Sequence, residues 1–141
     1  MSLKQLSVFA ENKIGSLHEI TKLLAAAGID IRAFSVADTE NFGVLRLIVS
    51  NTRGAAFALS EGGKIVSVTD VVGVKIPDEA GGLSRLLEVV TERGVGIEYL
   101  YAFAGLENGS AYVVLRVGDN AATEKLLSES GFTLISEDML K

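Results

Sequence analysis

The sequence of 141 residues has no cysteine, one proline and one histidine, and this composition excludes several kinds of functional site. Without cysteine the chain forms no disulfide, no thiolate zinc site and no thiol nucleophile. The only histidine, His18, has no Gly-x-Ser-x-Gly segment to act with, which argues against a serine hydrolase triad. We expect His18 to be a half-exposed helix residue, with a ligand contact as the alternative.

Positive charge and long apolar runs are also scarce. Thirteen Lys and Arg residues against 18 Asp and Glu residues give a net charge of −5, so no nucleic acid partner is expected. No apolar run reaches membrane-spanning length and residues 1–5 have no apolar signal core, so we expect no membrane partner and a cytoplasmic location.

Cofactor and metal motifs are incomplete. Gly94-Val95-Gly96 lacks the third glycine of a dinucleotide-binding loop, because Tyr99 stands in its place, and there is no Walker loop. The acidic pairs at 78–79 and 137–138 have no third ligand at metal spacing. We therefore expect no cofactor and no metal.

What the sequence does contain is a repeat. Three segments return in the same order: 14–17 as 80–83, 28–31 as 94–97, and 59–63 as 127–131. The repeat predicts two domains, residues 1–71 and 72–141. Because domains this small are marginally stable alone, we expect the halves to pack together and the chain to form a homodimer.

Alternating and helical apolar spacings predict the order β-α-β-β-α-β in each copy. This is the α+β, ferredoxin-like arrangement, in which an antiparallel sheet carries both helices on one face. The predicted strands are 6–10, 30–38, 44–50, 64–71, 72–76, 97–104, 112–117 and 132–136, and the predicted helices are 15–27, 53–60, 82–93 and 121–130.

The loop between the first strand and the first helix is the candidate binding segment. A helix start carries outward-pointing amides with partial positive charge, which suit a carboxylate or phosphate. Gly15 lets a ligand approach the backbone, and Asn12 offers donor and acceptor groups. Simple helix capping remains the alternative. The loop consists of Asn12, Lys13, Ile14, Gly15, Ser16 and Leu17.

These segments resemble the ACT domain family, in tandem. The family pattern is Asn or Asp, two residues, Gly, one residue and Leu, followed by a Gly-hydrophobic-Asn/Asp-Ile strand entry. It is matched at 12–17 and 28–31, and in the second copy at 78–83 and 94–97. The resemblance covers almost the whole chain.

The resemblance implies an effector site at a seam between ACT domains. Asn12, Gly15, Ser16 and Leu17 would hold and orient an amino acid carboxylate, and Asp30 would meet the ammonium across the seam. Glu98 and Tyr99 would form a wall. The second copy has Asp78, Gly82 and Gly96 in place of Asn12, Ser16 and Asp30, and its Asp78-Glu79 pair would repel a carboxylate, so we expect the first loop to be the better site.

Four aromatic residues, Phe9, Phe34, Tyr99 and Tyr101, could line a side-chain pocket, with ordinary sheet core as the alternative. The resemblance therefore implies a non-catalytic regulatory protein that binds a free amino acid and acts on a metabolic enzyme. The alternative is an interaction subunit of such an enzyme with a vestigial pocket.

Overall fold

A computed structural model describes residues 3–38 and 42–141 of the chain, which form β-strands and helices. None of the helices in those residues is both long enough and apolar enough to span a membrane. The strands are β1 (Leu3–Glu11), β2 (Ile31–Asp38), β3 (Phe42–Val49), β4 (Val66–Pro77), β5 (Ile97–Ala104), β6 (Ser110–Val117) and β7 (Thr133–Leu134). The helices are α1 (Ser16–Ala26), α2 (Thr52–Glu61), α3 (Gly82–Glu92) and α4 (Asn120–Glu129), with a 3-10 helix at Glu137–Leu140.

The chain divides into two compact units. The first unit contains Lys4–Thr69 with Leu140–Lys141, and the second contains Leu3 with Asp70–Met139. The boundary lies inside β4, two residues before the boundary predicted from the repeat. Each unit also takes a short piece from the opposite end of the chain.

In the first unit the strand order is β2-β3-β1-β4. β3 is antiparallel to both β1 and β2, with Leu6 opposite Leu47 and Phe34 opposite the same residue. Alternate side chains of β1 and β3 face α1 and α2, which supply apolar residues at helical spacing. The core consists of Leu6, Val8, Ala10, Ile20, Leu24, Ile29, Leu45, Leu47, Val49, Ala55 and Leu59.

The second unit repeats this architecture. β6 is antiparallel to both β5 and β4, and the short β7 pairs with β4. Its core joins alternate residues of β4 and β6 to α3 and α4, and consists of Val72, Val74, Ile76, Leu86, Val90, Val113, Leu115, Val117 and Leu127. The predicted α+β, ferredoxin-like βαββαβ repeats are thereby confirmed.

Two element predictions differ from the structure. The separate strands predicted at 64–71 and 72–76 form one continuous strand, β4, because Val71 and Val72 at the junction are β-branched and favour extended backbone. The last predicted strand, 132–136, shortens to two residues and is followed by the 3-10 helix.

Candidate functional site

The loop between β1 and α1 has the backbone geometry expected of a glycine-dependent helix start. Gly15 is the N-cap residue of α1, and its φ of 89° lies in the left-handed region that glycine adopts without steric cost. Backbone bonds close the turn: the Ser16 amide donates to the Lys13 carbonyl (3.3 Å) and the Glu19 amide donates to the Gly15 carbonyl (2.9 Å). The sequence therefore places α1 directly after an open glycine turn.

The start of α1 receives no side-chain cap, unlike the start of α2. The Asn51 side chain accepts a hydrogen bond from the Gly54 amide (3.0 Å) and caps α2, whereas no side chain caps α1. Helix-start amides left without a side-chain acceptor favour an external anion. The two helices of this unit thus begin differently: a side chain caps the start of α2, and none caps the start of α1.

The six predicted loop residues lie together on the surface, with one exception. Asn12, Lys13, Ile14, Gly15 and Leu17 are exposed, while Ser16 is buried. Ile14 is fully exposed, and a side chain built on Gly15 would meet no atom within 4 Å. Lys13 pairs with Glu11 (3.0 Å), which leaves the local charge balanced. The loop is therefore open to a ligand on its outer side.

Asp30 does not join the loop within the first unit. It follows the end of α1 and precedes β2, whose first residue, Ile31, lies opposite Val49. The loop instead follows Glu11, which lies opposite Phe42 at the other end of β3. Asp30 and the loop of the same copy are therefore at opposite ends of the sheet.

The groups of Asp30 also have partners of their own. Its carboxylate accepts a hydrogen bond from Arg32 Nη1, and its amide and carbonyl both bond to Ser50. Arg32 Nε donates in turn to the carbonyl of Leu140 (2.7 Å). This network gives Asp30 a structural role in holding the C-terminal residues, while its role toward a ligand ammonium stays a prediction.

Glu98 and Tyr99 belong to the second unit, at the start of β5. The Glu98 carboxylate pairs with Arg116 Nε (3.5 Å), and Tyr99 is half-buried opposite Arg116 in the sheet. The first loop lies in the other unit, so the role of Glu98 and Tyr99 as a wall of its site stays a prediction.

The second glycine loop has the same backbone conformation and the same burial pattern as the first, with Gly82 buried in the place of Ser16. Gly81 has a φ of 88° and caps α3 without a side-chain bond. A Cβ on Gly82 would lie 2.3 Å from the Pro77 carbonyl oxygen, so the start of α3 packs directly on the end of β4. The Asp78 amide donates to the Gly109 carbonyl (2.8 Å), and Glu79 pairs with Arg85 (3.2 Å). These contacts tie the second loop to its own unit.

Two features near the first loop escaped sequence analysis. Lys64, just before β4, pairs with Glu19 in the first turn of α1 (2.8 Å), and the hydrogen bond and charge of Lys64 lower the pKa of the Glu19 carboxyl. Phe42 stacks on Phe9 at the end of β1, with ring centroids 4.5 Å apart. No short-range sequence signal marks either pair, because each joins residues far apart in the chain.

The other proposed aromatic lining residues have mixed positions. Tyr101 is buried, which fits sheet core, whereas Phe34 is 68% exposed on the edge strand β2. Tyr99 is half-buried. These four aromatics therefore do not form one lining within a unit, since Phe9 and Phe34 lie in the first and the two tyrosines in the second.

Solved structures with this architecture are numerous. Protein BT0572 from Bacteroides thetaiotaomicron is 39% identical, with a TM-score of 0.93, and the match covers 99% of this chain and 96% of that one. The regulatory subunit of aspartate kinase from Thermus thermophilus, in its ligand-free form, is 14% identical with a TM-score of 0.67, over 93% and 94% of the two chains. The corresponding subunit from Thermus flavus is 15% identical with a TM-score of 0.61, over 92% and 93%.

The two aspartate kinase subunits share the fold alone with this chain, given their low identity. No curated protein matches the sequence significantly. The family model that matches is the ACT domain pair, and it covers residues 1–141, which includes both glycine loops. With both repeats folded as described, the chain belongs to the ACT domain family, as a pair of ACT domains.

Proposed function

We propose that this protein is a non-catalytic regulatory protein that binds a free amino acid at the first glycine loop. The observation that carries the proposal is the start of α1, where Gly15 leaves the helix amides without a side-chain cap and without a neighbour in the space its Cβ would occupy. Partial positive charge at such a start stabilises a carboxylate. Membership of the ACT domain family adds support, since its regulatory domains bind small effectors.

Each loop residue has a role in this proposal. The amides of Leu17 and His18 hold the effector carboxylate, since those of Ser16 and Glu19 already donate to backbone carbonyls. Asn12 and Lys13 border the carboxylate, and Ile14 and Leu17 provide exposed apolar surface for the ligand. Asp30, Glu98 and Tyr99 stay predictions, as groups that a neighbouring ACT domain brings to the effector. Asp30 would then exchange its bond with Arg32 for a bond with the ammonium.

The partner in the proposal is a metabolic enzyme of the cytoplasm, which the protein regulates as a homodimer. Support for an enzyme partner comes from the aspartate kinase regulatory subunits that share the fold. Effector binding regulates such a partner only through a difference in affinity between two states of the protein.

One observation favours a second candidate, an interaction subunit whose pocket is vestigial. The Asp30 carboxylate is already engaged by Arg32, which would leave an effector ammonium without its predicted partner. In that case an enzyme would co-purify with the protein, and its binding would be unaffected by any free amino acid.

Thermal unfolding with each standard amino acid tests the proposal, using a matched pair of glycine variants. Gly15→Ala and Gly81→Ala impose the same left-handed strain, because the two residues have φ values of 89° and 88°. One or a few amino acids should stabilise the wild type, by about 2.7 kcal/mol at a hundred times the dissociation constant. Gly81→Ala should keep this stabilisation and Gly15→Ala should lose it.

Two results would overturn the proposal. If no amino acid stabilises the wild type, there is no effector of this class. If both glycine variants keep the stabilisation, or only Gly81→Ala loses it, the effector binds elsewhere than the first loop. Calorimetry on the wild type gives the number of sites, and one site per chain is expected because the Asp78-Glu79 pair of the second loop repels a carboxylate.

A further inference from the structure

Arg32 joins two parts of the first unit that are far apart in the sequence. Its Nη1 donates to the Asp30 carboxylate, and its Nε donates to the Leu140 carbonyl (2.7 Å). Leu140 is 4% exposed and belongs to the first unit together with Lys141. One guanidinium therefore bridges the residue proposed to meet an effector ammonium and the segment of residues 140–141.

A register irregularity sets the direction of the Arg32 side chain. The pairing of β2 with β3 shifts between Ile31 and Ala33, so Arg32 is an extra residue between two paired positions. Such a bulge turns a side chain out of the regular alternation. The main chain of Asp30 is fixed, because its amide donates to the Ser50 hydroxyl (3.0 Å) and its carbonyl accepts from the Ser50 amide (2.9 Å). The two side chains can therefore change partners while the backbone stays in place.

The fold does not require the Asp30–Arg32 pair. The second copy has the same irregularity at the start of β5, yet Gly96 and Glu98 stand there at the positions of Asp30 and Arg32. Gly96 has no side chain to offer, and Glu98 pairs instead with Arg116 of β6 (3.5 Å). Since the bulge of the second copy forms without such a pair, the pair of the first copy is available for another role.

The Asp30–Arg32 pair is also accessible to a competing cation. The side chain of Asp30 is 65% exposed and that of Arg32 is 34% exposed. Ion pairs this open to water are weak, because water screens the charges and the side chains lose freedom when they pair. An ammonium group that reaches Asp30 can therefore replace Arg32 at little cost in free energy.

We propose that an effector ammonium bound at Asp30 displaces Arg32 and thereby releases residues 140–141 from the first unit. Nε and Nη1 belong to one rigid planar group, so the guanidinium cannot leave the Asp30 carboxylate without disturbing its bond to the Leu140 carbonyl. The bound ammonium is also a second cation beside Arg32 and repels it. The inference rests on the proposed function and states how effector binding changes the protein.

The coupling between the effector and residues 140–141 acts in both directions. While Leu140 holds Arg32 beside Asp30, it opposes effector binding, and effector binding opposes the docking of Leu140 by the same factor. Release exposes the Leu140 side chain and the part of the first unit that it covers. A partner enzyme that contacts either surface would then bind the two states with different affinity, as regulation requires.

A spin label at position 141 tests the link without any ligand, because the chain has no cysteine of its own. The nitroxide on Lys141→Cys should become more mobile when Asp30→Ala or Arg32→Gln breaks the bridge. Arg32→Lys is the second variant if Arg32→Gln does not fold, since an ammonium lacks the planar fork that reaches both acceptors. Glu129→Ala, which removes an exposed ion pair with Lys125, should leave the mobility unchanged.

Adding each standard amino acid in turn tests the response to an effector, with thermal unfolding measured on the same samples. An amino acid that stabilises the protein should mobilise the label at position 141 and not a label on Ser128→Cys, which is exposed on α4. Arg32→Gln should bind that amino acid about two- to fivefold more tightly than the wild type, the range expected when an exposed competing ion pair is removed.

The results separate the inference from the proposed function. If no amino acid stabilises the wild type, the proposed function fails and the inference fails with it. If an amino acid stabilises the protein and the label at position 141 does not respond, the inference alone is overturned. A label that is as immobile in Asp30→Ala as in the unsubstituted chain also overturns it, because Arg32 would then hold Leu140 without Asp30.

Discussion

The glycines of the two copies have different structural roles, although the sequence motif is the same. Gly82 occupies the position of Ser16, yet a Cβ there would lie 2.3 Å from the Pro77 carbonyl oxygen, a backbone atom that cannot move freely. Gly82→Ala should therefore lower the free energy of unfolding by about 1–3 kcal/mol, as overpacking does. Urea denaturation measures the loss.

Gly96 supplies the control for this prediction. It has no positive φ, and a Cβ on it would meet nothing within 4 Å. Gly96→Ala should leave stability unchanged or raise it by about 0.4–1 kcal/mol, because alanine restricts the unfolded chain. A Gly82→Ala protein as stable as Gly96→Ala would contradict the close contact of α3 with the end of β4.

Glu19 provides a pH-dependent prediction. Lys64 lowers the pKa of this carboxyl in the folded protein below its ordinary value of 4.5. A lowered folded pKa adds stability above the ordinary value, and that stability is lost as the pH falls through the folded pKa. Glu19→Gln should therefore lower the melting temperature at about pH 7 and make a smaller difference at about pH 3. An equal difference at both pH values would contradict the ion pair.

Helix starts are the elements in which the two copies agree most closely. In each copy the first helix begins at a left-handed glycine, and the second begins at an Asx side chain that bonds a backbone amide. Asn51→Ala and Asp119→Ala should each cost about 1 kcal/mol in unfolding free energy. Asn51→Asp and Asp119→Asn keep an acceptor and should stay near wild type in thermal denaturation. If the alanine variants and the Asn/Asp exchanges lost equal stability, the side-chain acceptor would not be the source of the stabilisation.

The helices and strands show which features of the fold can be predicted from the sequence. Helices α1 to α4 follow from apolar spacing, and the first loop can be proposed as a binding segment because its residues are contiguous. The continuity of β4 was missed, since repeat periodicity favours a break that the backbone chemistry at Val71 and Val72 does not require. The Glu19–Lys64 and Phe9–Phe42 pairs depend on which strands and helices become neighbours. Local patterns carry no such information.

At the scale of the whole molecule, the chain ends are exchanged between the units. Leu3, 1% exposed, belongs to the unit of Asp70–Met139, where a Cβ on Gly73 would lie 2.5 Å from its Cδ1 atom. Leu140, 4% exposed, belongs to the unit of Lys4–Thr69, where its carbonyl accepts a bond from Arg32. Neither unit is completed by one continuous repeat, so a cut between residues 71 and 72 would remove core residues from both.

This exchange predicts a distant effect of a change near the C-terminus. Leu140→Ala should cost about 2–5 kcal/mol, the range for a buried leucine, and should reduce hydrogen-exchange protection in β2, which contacts Leu140 through Arg32, and in its neighbour β3. Met139 is the matched control, because it is adjacent, 36% exposed and part of the other unit. Met139→Ala should cost much less and leave protection in those elements intact. If the two variants lose equal stability, or if Leu140→Ala loosens only residues 70–139, then the C-terminal residues do not help to hold the first unit together.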